Sequence, residues 1–241
     1  KTIILSINRF ERKKNIGLAI DAFSLLKIKC PKQFKDLVLV VAGGYDTRVQ
    51  ENVEHLQELE IAAAKTHSLK TTVTETLNSP GITDAQIIFL LSFDDSHRSF
   101  LLSQALCLIY TPQNEHFGIV PVEAMYAKLP VIAANSGGPL ESILDGITGY
   151  LCDGTNTDEF ANAIAILAEQ PALKRKIGEA GRKRVIEKFT LDAFTTQLES
   201  HLNSLFADFN WDAMWAYILV VFLWPTAILG GIWLLLVVLG K

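Results

Sequence analysis

The stretch KTIILSINRFERKKNIGLAIDAFSLLKIKCPKQFKDLVLVVAGG, residues 1–44, decides the fold. It begins with an apolar run, Thr2–Ile7, and a second apolar run follows at Asp36–Ala42. Between them an amphipathic segment follows Asn15 and stops before Pro31. Both runs are almost wholly apolar rather than alternating, which is typical of parallel strands covered on both faces. The stretch therefore predicts a strand–helix–strand unit of a doubly wound α/β sheet.

The same alternation continues along the chain. Three more apolar runs predict strands at Gln86–Leu91, Leu106–Tyr110 and Pro130–Ala134. Helices are predicted at Val49–Lys65, Asp95–Ala105, Gly118–Ala127 and Thr157–Glu169, then from Pro171 onward and at Leu191–Phe206. We interpret the polar, threonine-rich stretch His67–Thr83 as a long surface insertion, and we expect helical structure after Tyr150. In such a sheet, ligands bind beyond the carboxyl ends of the strands.

The composition excludes several function classes. The chain has 241 residues and a net charge of −4, without the clustered basic face that binding to nucleic acid requires. Its three cysteines are far apart, which argues against a disulfide framework. The cysteines and histidines have no metal-ligand spacing, and no D-x-D motif occurs.

A long uncharged segment follows the predicted helices. No charged residue occurs from Ala213 to Gly240, and a helix of that length would measure about 42 Å, more than the roughly 30 Å of a hydrocarbon core. This predicts a membrane-associated tail, either one span or a re-entrant hairpin bent at Pro225 and Gly230-Gly231. We therefore divide the chain into a ligand-binding domain (1–189), an amphipathic helix with a linker (190–210) and a hydrophobic tail (211–241).

The segment EHFGIVPVE, Glu115–Glu123, is the most specific motif in the chain. Two glutamates bracket Phe117-Gly118 where a loop after a predicted strand becomes a helix. Glycine allows close backbone approach to a ligand, and the free N–H groups of a helix N-terminus favour an anion. Glu115 is suited to accept hydrogen bonds from sugar hydroxyls, and Glu123 is suited to bind a vicinal diol.

A second cluster, RFERKK (Arg9–Lys14), directly follows the first predicted strand. A solvated run of charges is the alternative interpretation. Glycine pairs follow two other strands, Gly43-Gly44 and Gly137-Gly138, and the second pair leads to Glu141. Neither pair belongs to a G-x-G-x-x-G motif or a P-loop, which argues against a dehydrogenase and against phosphoryl transfer.

These motifs resemble those of a known family. The E-x7-E pattern of Glu115 and Glu123 is similar to the signature of retaining GT-B glycosyltransferases of family 4, in their C-terminal, Rossmann-like domain. The longer strings Tyr110–Pro121 and Asn135–Ser142 resemble those of the dolichol-pathway α-1,3/1,6-mannosyltransferases. The resemblance covers roughly Lys1 to Phe206, and the hydrophobic tail also fits it.

The resemblance implies roles for individual residues. Arg9 and Lys14 would hold the diphosphate of the donor, and Glu115 would contact the donor hexose; these three form the implied catalytic set. The implied donor-binding set is Gly43, Gly44, His116, Phe117, Gly118, Ile119 and Glu123, with Glu123 on the ribose and the backbone of 117–119 on the diphosphate and sugar. Histidine replaces the glycine common at position 116 in the wider family, and it either contacts the hexose or is an ordinary loop residue.

The resemblance also implies substrates and a location. The donor would be GDP-mannose, without a cofactor or a required metal, and the acceptor a dolichyl-diphosphate-linked Man-GlcNAc2. The enzyme would lie on the endoplasmic reticulum membrane with its catalytic domain on the cytosolic face. We expect this chain to lack the N-terminal GT-B domain and to transfer little alone. The alternatives are another GT-B transferase acting on a different lipid, and a non-enzymatic membrane-anchored module.

Overall fold

A seven-stranded, wholly parallel sheet organises the first part of the chain. The computed structural model describes residues 1–79, 81–208, 210–223, 226, 234 and 237–240. The strands are β1 (Thr2–Ile7), β2 (Leu37–Gly43), β3 (Thr71–Thr74), β4 (Ile87–Leu91), β5 (Cys107–Tyr110), β6 (Val131–Ala134) and β7 (Gly149–Cys152). Their order across the sheet is β3-β4-β2-β1-β5-β6-β7. The predicted doubly wound parallel fold is confirmed.

Helices connect the strands and cover both faces. They are α1 (Ile16–Lys29), α2 (Pro31–Phe34), α3 (Gln50–Ile61), α4 (Asp95–Gln104), α5 (Ile119–Tyr126), α6 (Pro139–Ser142), α7 (Thr157–Glu169) and α8 (Pro171–Lys188). The core consists of one apolar cluster on each face of the sheet. In β2, Leu39 and Val41 belong to one cluster, while Val38 and Val40 belong to the other. This two-sided burial is why the strands are apolar at consecutive positions.

Two predictions of secondary structure were wrong, and one predicted helix changes type near its end. The stretch His67–Thr83 is not only an insertion, because β3 lies within it and pairs with β4. The chain after Tyr150 is not helical at once, because β7 forms the other edge of the sheet. The predicted helix Val49–Lys65 is α-helical only to Ile61 and continues as a π-turn over Ala62–Thr66.

The chain separates into two compact units, Lys1–Thr190 and Leu191–Lys241. The second unit contains α9 (Leu191–Asp208) and α10 (Trp211–Ile218), followed by a π-turn at Leu219–Leu223. The apolar stripe of α9 is exposed at Leu191, Phe194, Leu198, Leu202 and Leu205.

The predicted membrane tail has only partial structural description. Among the residues that the structure describes, no helix combines the length and the apolar character needed to cross a bilayer. Much of the predicted span, including Trp224, Pro225 and Gly230-Gly231, lies outside the described residues.

Candidate functional site

A cleft opens where the direction of the sheet connections reverses. From β1 the chain builds β2, β4 and β3 on one side, and β5, β6 and β7 on the other. The loops that follow β1 and β5 therefore diverge and leave a crevice beyond their carboxyl ends. The crevice has a volume of about 320 Å³ and is lined by Ile7, Asn8, Arg9, Lys14, Gly43, Gly44, Phe93, Arg98, Tyr110, Glu115, Gly118, Ile119 and Val120. We call this crevice the switch-point cleft.

Most of the predicted site residues meet in the switch-point cleft. All three members of the predicted catalytic set line it, together with four of the donor-binding set: Gly43, Gly44, Gly118 and Ile119. His116, Phe117 and Glu123 are not among its lining residues. The side chain of His116 is exposed, and the ring of Phe117 packs against Phe189 with centroids 5.7 Å apart. Donor-binding roles for these three side chains stay predictions.

Lys14 and Glu115 face each other across the cleft. Lys14 Nζ lies 2.5 Å from Glu115 Oε2, although the two residues are 101 positions apart in the chain. Their side chains are only 13% and 28% exposed, so the pair is largely shielded from water. A charge-assisted contact of this length is stronger than a hydrogen bond between neutral groups.

The backbone of Lys14 is fixed on both sides. Its N–H donates to the carbonyl of Glu11 at 2.9 Å, and its carbonyl accepts from Thr111 Oγ1 at 2.7 Å. Thr111 is completely buried, so its hydroxyl ties the loop after β1 to the loop after β5. Asn15 follows in a left-handed conformation with φ of 50°, and its side-chain amide donates to Gly154. Position 14 is therefore well defined.

The other charged residues of RFERKK form ion pairs with different partners. Glu11 accepts from Arg9 at 3.3 Å and pairs with Lys13 at 3.0 Å. Burial alone would raise the pKa of Glu11, but the hydrogen bond from Lys13 and the charge of Arg9 lower it below its ordinary value. Arg12 turns away from the cleft and binds Glu54 and Glu58 on α3. Only the first and last cations of the segment line the cleft.

The glycine pairs allow backbone segments to pass close to one another. A Cβ on Gly43 would lie 1.7 Å from the carbonyl oxygen of Asn8, whereas a Cβ on Gly44 would meet only the Arg9 side chain, at 3.4 Å. A Cβ on Gly138 would lie 2.0 Å from the carbonyl oxygen of Phe117. The N–H of Gly138 donates to the carbonyl of Glu115 at 2.8 Å, which fixes the backbone of that glutamate.

The N-terminus of α5 forms one wall of the cleft. Gly118 precedes the helix with φ of +76°, a left-handed conformation that favours glycine. The first N–H groups of a helix have no partner within it, so this wall presents donors and a partial positive charge. The ring of Tyr110 lies next to Gly118. Burial, and to a smaller extent the negative charge of Glu115, raise the pKa of the Tyr110 hydroxyl. It therefore stays neutral at physiological pH.

Sequence reasoning missed Arg98, which also lines the cleft. Its Nη1 donates to Glu123 Oε2 at 2.7 Å, and its guanidinium lies 5.4 Å from the ring centre of Phe93. Glu123 does not line the cleft itself, but its ion pair with Arg98 connects it to a residue that does. The available signal was its position in the first turns of a helix, after Asp94, beyond the carboxyl end of a predicted strand. Glu141 is exposed on α6, and its carbonyl accepts from Arg184.

The arrangement combines three cations, helix N–H groups and a carboxylate at a switch point, which suits a ligand with both anionic and hydroxyl groups. A family model for glycosyl transferases group 1 matches residues 1–184. The chain belongs to this family.

Relatives within the glycosyl transferases give more detail. The chain is 48% identical over 210 residues to the Rhizomucor pusillus protein named alpha-1,3/1,6-mannosyltransferase ALG2, covering 85% of this chain and 46% of that one. It also resembles the sucrose-phosphate synthase of Thermosynechococcus elongatus, with a TM-score of 0.67, 26% identity and coverage of 86% and 46%. The C-terminal domain of a glycosyl transferase group 1 protein (LpcC) from Francisella tularensis gives a TM-score of 0.62 at 25% identity, with coverage of 79% and 87%. The chain spans about half the length of the curated relatives it matches.

Among the described residues, no group of three or more His, Cys, Asp or Glu side chains is placed to hold a metal ion. The charge in the cleft that could stabilise an anion comes from Arg9, Lys14 and Arg98.

Proposed function

We propose that this chain carries the donor site of a mannosyltransferase. The enzyme would transfer mannose from GDP-mannose to a dolichyl-diphosphate-linked Man-GlcNAc2, first in α-1,3 and then in α-1,6 linkage, with retention of configuration. The observation that carries the proposal is the convergence of Arg9, Lys14 and Glu115 in one cleft beside the N-terminus of α5. The similarity to proteins named alpha-1,3/1,6-mannosyltransferase supports the choice of sugar and acceptor.

The cations have their main effect on the leaving group. When the bond between mannose and the diphosphate breaks, negative charge increases on the departing nucleoside diphosphate. Arg9 offers a planar fork to phosphate oxygens, Lys14 offers a compact charge, and the N–H groups of α5 add fixed dipoles. Interactions that strengthen as charge develops lower the barrier rather than merely tightening binding. These fixed cations are the basis for proposing that the donor site needs no metal.

The carboxylates act on hydroxyl groups. Glu115 would accept from hydroxyls of the mannose, and Glu123 would bind the two ribose hydroxyls. Arg98 holds Glu123 through one of its carboxylate oxygens and thereby restricts its orientation. No enzymic nucleophile is assigned, so we propose front-face attack by the acceptor, assisted by the departing phosphate.

Acceptor binding would need more than this chain's cleft. We propose that a second GT-B domain supplies most acceptor contacts, since the curated relatives are about twice as long as the matched region. The uncharged segment from Ala213 to Gly240 would associate with the endoplasmic reticulum membrane, with the donor domain on the cytosolic face. Confining enzyme and lipid-linked acceptor to one bilayer would raise their rate of encounter.

Isothermal titration of the full chain with GDP, UDP and GDP-mannose, with and without EDTA, tests the donor proposal. We expect GDP to bind more tightly than UDP, and EDTA to leave both affinities unchanged. Lys14→Glu should weaken GDP binding at least about tenfold, because a charge-assisted contact becomes a repulsion. Lys128→Glu, which reverses a lysine in a surface ion pair with Glu179, is the matched control.

Preference for UDP would favour the alternative of another GT-B transferase. If Lys14→Glu and Glu123→Ala both bind GDP-mannose like the parent, the site assignment is wrong. Co-expression with the N-terminal half of a relative separates an enzyme from a non-enzymatic module. Restored mannosyl transfer to a lipid-linked acceptor supports the enzyme, and continued inactivity supports the module.

A further inference from the structure

We propose that Glu115 is an internal competitor for Lys14 that makes the cleft favour a sugar nucleotide over the nucleotide alone. This inference rests on the proposed function, because it takes the ligand to be a nucleoside diphosphate with and without a hexose. The carboxylate of Glu115 contacts the ammonium of Lys14 at 2.5 Å. A diphosphate that binds Lys14 must weaken that contact, because the phosphate and the carboxylate then share one ammonium and lie close together.

The exchange is confined to side chains. The backbone of Lys14 is held by Thr111 and Glu11, and the carbonyl of Glu115 is held by Gly138. These hydrogen bonds hold the two backbones in place, so the carboxylate of Glu115 stays near Lys14 when a phosphate approaches the same ammonium. The surrounding cations, Arg9 and Arg98, line the same cleft and would favour the diphosphate.

GDP and GDP-mannose differ in the surroundings that they give the carboxylate of Glu115. GDP draws the ammonium of Lys14 towards its phosphates and leaves a carboxylate, 28% exposed, with a weakened ion pair and next to a bound anion. GDP-mannose takes Lys14 as well, but its hexose hydroxyls donate to the freed Glu115. An uncompensated charge in a partly shielded site is costly, whereas a carboxylate that receives hydroxyl donors is not. The pair therefore penalises the free nucleotide selectively, which also favours release of the product once the sugar has left.

Glu115→Gln separates this role from simple sugar binding. The amide has the same shape but no charge, so it competes weakly for Lys14. We expect the affinity for GDP to increase roughly three- to tenfold, because an opposing charge-assisted contact no longer has to be broken. The affinity for GDP-mannose should not increase to the same extent, because that ligand gains the same relief but loses hydrogen bonds from its hydroxyls to a charged acceptor. The dissociation constant for GDP, divided by that for GDP-mannose, should consequently decrease about tenfold or more.

Glu179→Gln is the matched control, since it also removes a carboxylate from a Lys–Glu pair, at 2.8 Å from Lys128 outside the cleft. It corrects for the change in net charge and should leave both affinities as in the parent. A tighter affinity cannot arise from misfolding, so a gain in Glu115→Gln is informative by itself. If the parent binds GDP and Glu115→Gln binds GDP with equal or lower affinity, this inference is overturned and the proposed function is not. A parent that binds neither GDP nor GDP-mannose overturns the proposed function, and the inference with it.

Discussion

Two adjacent glycines, Gly43 and Gly44, should differ greatly in how much stability the same substitution costs. A methyl group on Gly43 would lie 1.7 Å from the carbonyl oxygen of Asn8, where ordinary contact needs 3.4 Å or more. On Gly44 the new methyl would meet the flexible side chain of Arg9 at 3.4 Å, which is already ordinary contact. Alanine at position 43 must therefore displace backbone by well over an ångström, whereas alanine at position 44 requires no displacement.

The displacement would act on the centre of the sheet. The N–H of Asn8 bonds to the carbonyl of Ala42 at 3.0 Å, and the N–H of Ser92 bonds to the carbonyl of Gly43 at 2.8 Å. Overpacking costs about 1–3 kcal/mol, and each weakened backbone hydrogen bond adds about 0.5–1.5 kcal/mol. We expect Gly43→Ala to lower the free energy of unfolding by about 2–6 kcal/mol, and Gly44→Ala by less than about 1 kcal/mol.

Urea unfolding followed by far-ultraviolet circular dichroism is the suitable assay. Tryptophan fluorescence would not report on the sheet, because all four tryptophans lie beyond Asn210, in the second unit. The slope of the unfolding free energy against urea should match that of the parent, so that midpoints can be compared directly. Equal midpoints for Gly43→Ala and Gly44→Ala would refute the steric argument.

Three further outcomes follow from single contacts. Thr111→Val leaves the Lys14 carbonyl unpaired and should cost about 1–3 kcal/mol of unfolding free energy. GDP affinity in titrations should also fall, and Thr111→Ser should restore it. Arg98→Ala releases Glu123 and should weaken GDP binding several-fold, with a change in stability below about 1 kcal/mol because the pair is partly exposed; unchanged affinity would exclude Arg98 from the site. A backbone N–H at the start of α4 lowers the pKa of Asp94 to about 2. The contribution of Asp94 to the free energy of unfolding should be full at a pH above its unfolded pKa of about 4. It should be lost as the pH falls towards 2. Urea midpoints of Asp94→Ala and the parent should therefore differ at pH 6 and converge near pH 2, whereas Asp94→Asn, which keeps a capping oxygen, should show less pH dependence.

The sequence contained enough information for the central strands and for the cleft. Strands such as β2 are buried on both faces, so their apolar runs stand out from the polar loops. Because parallel strands end at one edge, the segments after Ile7 and Tyr110 could be expected to meet without knowledge of the register. The meeting of Lys14 and Glu115 agrees with that placement, although their ion pair itself was not predicted.

The edges of the sheet were harder to predict. β3 lies at one edge of the sheet beside β4 and has three threonines, which suit a strand through their branched Cβ but give no apolar signal. β7 is four residues long and begins at Gly149, whose close approach to Val131 leaves no room for a side chain. Arg98 was missed for a different reason, since its partner Glu123 lies on another helix and only the assembled fold brings them together.

The long separation between Lys14 and Glu115 also has a kinetic consequence. Closing a loop of about a hundred residues is entropically expensive, and contacts of high sequence separation slow folding. A nucleotide that needs both sides of the crevice can bind only after β5 has docked beside β1. If that docking follows the rate-limiting barrier, the nucleotide slows unfolding and leaves the folding rate almost unchanged. At a nucleotide concentration a hundred times the dissociation constant, binding would add about 2.7 kcal/mol to the stability of the first unit. The gain would appear chiefly as a longer lifetime of the native state.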